Sequence, residues 1–160
     1  MRIRFKYLPL ISFCLVGCFN ISSDMIETRR IDAENEKFKS TLPSPNADYG
    51  ILPKNYQKKA TEYLKSTLKD PDSAKFSNFT KPRKEHVIYS KGKYITPNDV
   101  FYGYSACVLV NAKNSYGGYV GNQLYWIFFY NREVFRTQKV DVGFGASIYR
   151  GRAINCEDGD

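Results

Sequence analysis

Two stretches, Val100 to Asn111 (VFYGYSACVLVN) and Gln123 to Tyr130 (QLYWIFFY), are so dense in aromatic and β-branched residues that they read as β-strands. Ala112 to Asn122 joins them and carries Gly117, Gly118 and Gly121, which suit backbone positions needing positive φ. Aromatic rings are the outlier in the composition. Thirteen Tyr, eleven Phe and one Trp supply 16% of its 160 residues, so large aromatic side chains should fill the core. That length suffices for one compact domain plus a tail and is too short for two well-built domains. Hydrophobic residues at 42% and charged residues at 25% are ordinary globular values, which argue against wholesale disorder and against a multi-span membrane protein.

Ahead of these strands, Pro53 or Asn55 opens the clearest helix. Tyr56, Ala60, Tyr63, Leu64, Thr67 and Leu68 recur at helical spacing, while Lys54, Lys58, Lys65 and Lys69 fall mostly elsewhere, and Asp70-Pro71 stops the run. A membrane-surface helix would look similar, but the stripe is modest and partly tyrosine, which favours packing within a domain. Ala74 to Phe79 reads as a short strand that buries Phe76 and Phe79. Val87 to Tyr89 and Tyr94 to Thr96 flank Ser90-Lys91-Gly92-Lys93 as a hairpin. After an Asn131-Arg132 turn, alternation is looser from Glu133 to Val142, and Ala146 to Cys156 is the last strong feature. The expected fold class is α+β: one N-terminal amphipathic helix packed on a small antiparallel sheet, occupying residues 52–160, with no internal repeat.

The N-terminus sets the expected address. Arg2, Arg4 and Lys6 precede a nine-residue apolar run, Leu8 to Val16, roughly half of the ~20 residues that span a bilayer. This is the pattern of a cleavable secretory signal over residues 1–17. The following Leu15-Val16-Gly17-Cys18 resembles the bacterial lipobox. The resemblance implies diacylglycerol on the Cys18 thiol, cleavage before that residue and acylation of the new amine, with Phe19 in place of Asp pointing to the outer membrane. Residues 18–51 are polar and broken, with six acidic and four basic residues, and read mainly as a lipidated flexible tether. About 33 residues of coil have an r.m.s. span on the order of 30 Å. Ile31 to Phe38 is the one stretch there with helical character, and Met25, Ile26 and Phe38 are the residues through which part of the tether could pack. The remainder from Leu52 holds seventeen basic and ten acidic residues, net +7.

Four cysteines reduce to two that matter to the fold. Cys14 leaves with the signal and Cys18 carries lipid, so Cys107 and Cys156 remain, and an even pair in an oxidising compartment most simply forms a disulfide. A Cys107 nucleophile activated by His86 has no supporting local signature. With one His, metal ligation is poorly supplied, and no cofactor is expected. No paired-carboxylate spacing for acid–base work, Gly-x-Ser-x-Gly elbow or phosphate-binding Gly-x-x-x-x-Gly-Lys-Ser/Thr motif appears, so an enzyme is not expected.

Leu68-Lys69-Asp70-Pro71-Asp72-Ser73-Ala74-Lys75-Phe76 and Val110-Asn111-Ala112-Lys113-Asn114-Ser115-Tyr116-Gly117-Gly118-Tyr119 together resemble a widespread group of small, mostly uncharacterised exported bacterial proteins. That group shares an Asp-Pro-x-Ser-Ala-x-Phe segment and, downstream, a Cys followed by Val-Asn-Ala-Lys-Asn-Ser-x-Gly-Gly-Tyr. The resemblance spans roughly Tyr56 to Phe129 and implies no activity. Val108 and Leu109 follow Cys107 where the group has a Gly and an acidic residue. Asn111, Lys113, Asn114, Tyr116 and Tyr119 read either as a polar, aromatic-lined recognition loop or as an ordinary wide hairpin loop.

The expected function is that of a membrane-anchored lipoprotein, a non-catalytic binding or assembly module of the bacterial cell envelope. Its partners would be the bilayer, through acylated Cys18, and an envelope protein or an anionic wall polymer. Secretion and conjugation complexes are possible settings by analogy alone. The domain would sit in the periplasm or at the cell surface. An inhibitor of cell-wall hydrolases is the alternative, ahead of an enzyme. Nucleic acid is not an expected partner, because Lys and Arg are scattered rather than striped.

Overall fold

A computed structural model describes residues 23–140, 147–148 and 152–159. The signal segment 1–17, Cys18 and parts of the Ala146 to Cys156 feature lie outside the described residues. The fold is α+β, with two helices and a five-stranded antiparallel sheet. The elements are α1 (Ser23–Lys39), α2 (Tyr56–Thr67), β1 (Lys75–Ser77), β2 (Arg83–Ile88), β3 (Val100–Asn111), β4 (Gln123–Tyr130) and β5 (Glu133–Val140). A separate ribbon pairs β6 (Ser147–Ile148) with β7 (Arg152–Ala153).

β3 organises the sheet. β4 runs along one edge, pairing Cys107 with Trp126 and Val110 with Gln123. The other edge is shared: β2 pairs with Val100 to Ser105, and β1 with Leu109 to Asn111. Thr80 fills the gap between them. Its amide donates to the Cys107 carbonyl (2.9 Å) and its hydroxyl accepts from the Cys107 amide (2.8 Å). β5 continues the sheet beyond β4 through a two-residue turn, Asn131-Arg132, with both residues at positive φ. That geometry matches the right-handed twist of the flanking strands.

Both faces of the central strands are covered, which is why Trp126 to Phe129 are all buried rather than alternating. On one face Ala106, Val108, Val110, Ile127 and Phe129 meet Ala60 and Leu64 of α2. On the other Cys107, Trp126 and Phe128 pack with Val87 and, from the C-terminal segment, Ile154 and Cys156. α2 buries a narrow stripe. Tyr56 sets its ring edge-on to Phe79 and Phe129, whereas Tyr63, expected inside, is 39% exposed.

Gly103 has a packing reason. A Cβ there would lie 2.9 Å from the Phe128 ring and overlap the Phe129 carbonyl. Gly103→Ala is therefore expected to destabilise the domain by about 2 kcal/mol or more, read as a lower urea midpoint at constant m-value.

Two expectations are corrected. First, residues 18–51 are not simply a flexible tether, because Ser23–Lys39 is helical and docked. Asp24 in its first turn and Lys37 and Lys39 in its last complement the helix dipole. Arg30 bridges Glu27 (2.9 Å) and Glu34 (3.7 Å), and its hydrogen bond holds the Glu27 carboxyl below the usual range. The docking residues are Ile31 and Asn35, both buried, while Met25 and Ile26 are exposed. The Asn35 amide group donates to the Lys93 carbonyl (2.9 Å), and its oxygen accepts from the Ile95 amide (2.7 Å). The chain then crosses the sheet, with the Tyr49 ring edge-on to Tyr102 (5.5 Å) and the Ser44 amide donating to the Tyr102 hydroxyl (3.1 Å). Second, Tyr94 to Thr96 does not form a hairpin with Val87 to Tyr89. The partner of β2 is β3, with Ile88 opposite Val100, and residues 89–99 form the connection. A short 3-10 turn at Pro97–Asp99 redirects it, closed by Thr96 and Asp99 side chains.

Candidate functional site

The Leu68 to Phe76 and Val110 to Tyr119 segments fold against each other. Asp70 and Ser73 build the turn after α2: the Asp70 carboxylate accepts from the Ser73 amide (3.2 Å), and the Ser73 hydroxyl donates to the Asp70 carbonyl (3.0 Å). The same hydroxyl accepts from the Lys113 amide (3.0 Å), so one serine ties this turn to the loop beyond β3. β1 follows at once and pairs Lys75 with Asn111 and Phe76 with Val110. Ser73→Ala removes the two bonds of the hydroxyl, to the Asp70 carbonyl and from the Lys113 amide, and is expected to cost about 1 kcal/mol, measured by chemical denaturation.

Residues 112–120 then form a small hairpin of their own. Lys113 and Tyr119 bridge across it, and the Val120 amide donates to the Ala112 carbonyl (3.3 Å). Asn114 closes the tip. Its amide donates to the Gly118 carbonyl (2.8 Å), and its side-chain oxygen accepts from the Tyr116 and Gly118 amides (2.9 and 3.1 Å). Gly117 supplies the positive φ of +79° that the turn requires.

This geometry sorts the expected site residues. Asn114 is consumed by the turn. Asn111 lies half-buried within β3, and its side-chain oxygen is enclosed without a hydrogen-bond partner. Tyr116 stands 96% exposed at the tip. Tyr119 lies half-exposed on the flank, with the Lys113 ammonium 5.6 Å and the Lys75 ammonium 4.9 Å from its ring centroid. Lys69 reaches the same hairpin by donating to the Ser115 hydroxyl (3.1 Å). Lys69 and Lys75 are the residues that the sequence reading missed. They flank the Asp70 to Ala74 turn, so the pairing of the two motifs was the signal that could have found them.

Three ammonium groups and two accessible phenol rings thus converge on one hairpin, with Asp70 and Asp72 the acidic residues of the adjoining turn. Beneath lies a shallow cavity of about 210 Å³ lined by Leu68, Val110, Ala112, Val120 and Tyr125 among others. Cations seated over rings at exposed sites contribute roughly 0.5–1 kcal/mol each and hold the lysines in place without neutralising them. Such a surface offers charge and hydrogen-bond donors to anionic groups and flat apolar faces to rings.

A larger cavity of about 480 Å³ between Arg83, Lys84, Tyr104 and the C-terminal Glu157, Asp158 and Gly159 mixes both charge signs. There Arg83 and Glu157 approach to 4.0 Å. Cys107 and Cys156, the expected pair, are disulfide-bonded with Cα atoms 5.4 Å apart. Among the described residues no cluster of three metal-ligating side chains occurs, and no helix is long and apolar enough to cross a membrane. No family model, no curated protein and no solved structure matches the chain.

Proposed function

We propose that the chain is a lipoprotein of the bacterial cell envelope, anchored through Cys18, whose domain is a non-catalytic binding module. The observation that carries the binding role is the convergence of Lys69, Lys75 and Lys113 around Tyr119 beside the exposed Tyr116. The partner that this surface suits best is an anionic wall polymer: its charged groups would meet the lysines and its rings would lie on the tyrosines. The lipid anchor is supported by Leu15-Val16-Gly17-Cys18 placed directly after an apolar run. Each buried CH₂ of an acyl chain contributes roughly 0.8 kcal/mol, so two or more chains hold a protein on a bilayer where one does not. Placement in the outer membrane, with the domain in the periplasm or at the surface, follows from Phe19 and belongs to the same proposal.

Two measurements test it. Cys18→Ser should abolish lipid labelling and release the full chain from the membrane fraction; unchanged retention would remove the anchor from the proposal. Co-sedimentation of the full chain with purified cell-wall sacculi should weaken as salt rises, since exposed charges are screened within about 10 Å at 0.1 M. Lys69→Glu, Lys75→Glu and Lys113→Glu combined should cost about tenfold or more in affinity. Undiminished binding by that variant would show that another surface is responsible, and binding only to an envelope protein would replace the polymer as partner.

A further inference from the structure

The lipoprotein reading places Cys18 on a bilayer, and the fold then dictates which end of the domain lies beside it. α1 begins at Ser23, five residues after Cys18. Five residues reach at most about 18 Å even when fully extended. The domain therefore has a short leash, not the ~30 Å one that a coil of residues 18–51 would give.

The helix at the end of that leash is fixed to one end of the sheet. Asp24, Glu27, Thr28 and Ile31 line a cavity with Lys93. Arg30 donates to the Tyr94 hydroxyl (3.1 Å), and Asn35 holds the backbone of Lys93 and Ile95. All of these contacts fall on the connection that enters β3 at Val100. The basic, tyrosine-bearing hairpin leaves β3 at its opposite end, after Asn111. A twelve-residue strand rising about 3.3–3.4 Å per residue separates those ends by about 37 Å.

We propose that the domain stands upright on the bilayer that holds Cys18. The α1–Lys93 end is apposed to the headgroups, with Ile26 (59% exposed) facing them, and β3 carries the lysine–tyrosine hairpin to the far side. In this arrangement the ligand of the hairpin is a component of the space beyond the anchoring membrane and not that membrane's own lipid. The inference rests on the lipoprotein reading and adds an orientation to it.

The test uses the full-length lipidated protein in phosphatidylethanolamine–phosphatidylglycerol vesicles that contain a spin-labelled lipid as quencher. A thiol-reactive fluorophore is placed at Ile26→Cys or at Tyr116→Cys. Both sites are exposed, and Cys107 and Cys156 are already disulfide-bonded. The expected result is several-fold stronger quenching at position 26 than at 116. Equal quenching at the two positions, or stronger quenching at 116, overturns the orientation while leaving the anchor intact. Failure of both labelled proteins to float with the vesicles overturns the lipoprotein reading itself.

Discussion

Replacing Cys107 and Cys156 together with alanine is expected to lower the unfolding free energy by about 4 kcal/mol. The bond joins residues 49 positions apart, and loop entropy alone gives that magnitude for such a span. For a domain whose total stability lies in the usual range of about 5–15 kcal/mol, this is a large fraction. The effect has an enthalpic side as well. Among the described residues of the C-terminal segment, Ile154 and Cys156 pack against the Trp126 and Phe128 cluster, so losing the bond loosens that face. Urea unfolding followed by circular dichroism checks the value, and reduction of the natural protein should reproduce most of the loss. A shift below about 1 kcal/mol would mean that the segment is held by its packing rather than by the bond.

Trp126→Ala is the second large effect, expected at about 3–5 kcal/mol. Trp126 is fully buried, sits opposite Cys107 in the β3–β4 register and stacks on Phe128 with ring centroids 5.9 Å apart and planes 15° from parallel. Truncation leaves a void between the sheet and the C-terminal segment that the disulfide ties to it, so little collapse is available to fill it. Trp126→Phe should cost clearly less. Because Trp126 and the disulfide share this face, their combined removal should depart from the sum of the separate losses, and a double-mutant cycle in urea measures that coupling. The indole is the only one in the chain, so its emission reports on this side of the sheet alone.

What the sequence made legible follows from which interactions are apolar and periodic. β3 and β4 occupy the stretches expected, Val100–Asn111 and Gln123–Tyr130, because their dense β-branched and aromatic content leaves few alternatives. The second helix is legible through Ala60 and Leu64, although Tyr63 faces solvent. The first helix, Ser23–Lys39, is legible only as the helical character of Ile31 to Phe38, because what docks it is mainly a polar side chain. Asn35 satisfies a carbonyl and an amide of the β2–β3 connection, and hydropathy does not register that kind of anchor. The false hairpin at residues 87–96 has a related origin. Ser90 to Lys93 carries turn chemistry, yet the longer, more apolar β3 outcompetes Tyr94 to Thr96 for the edge of β2. At the site, Tyr116 and Tyr119 were visible from composition. Lys75 and Lys69 became neighbours only through the pairing of β1 with the end of β3.

The hairpin at residues 112–120 is closed by its own hydrogen bonds and fastened to the rest of the molecule at its base, where Ser73 holds Lys113. Apart from Asn114 and Gly117, which the turn itself requires, its exposed positions therefore tolerate rewriting in a way that the strands beneath it do not. Lineages could lengthen or re-letter those few positions and acquire a different ligand without renegotiating the scaffold. For the same reason, this is where an engineer would graft a foreign epitope.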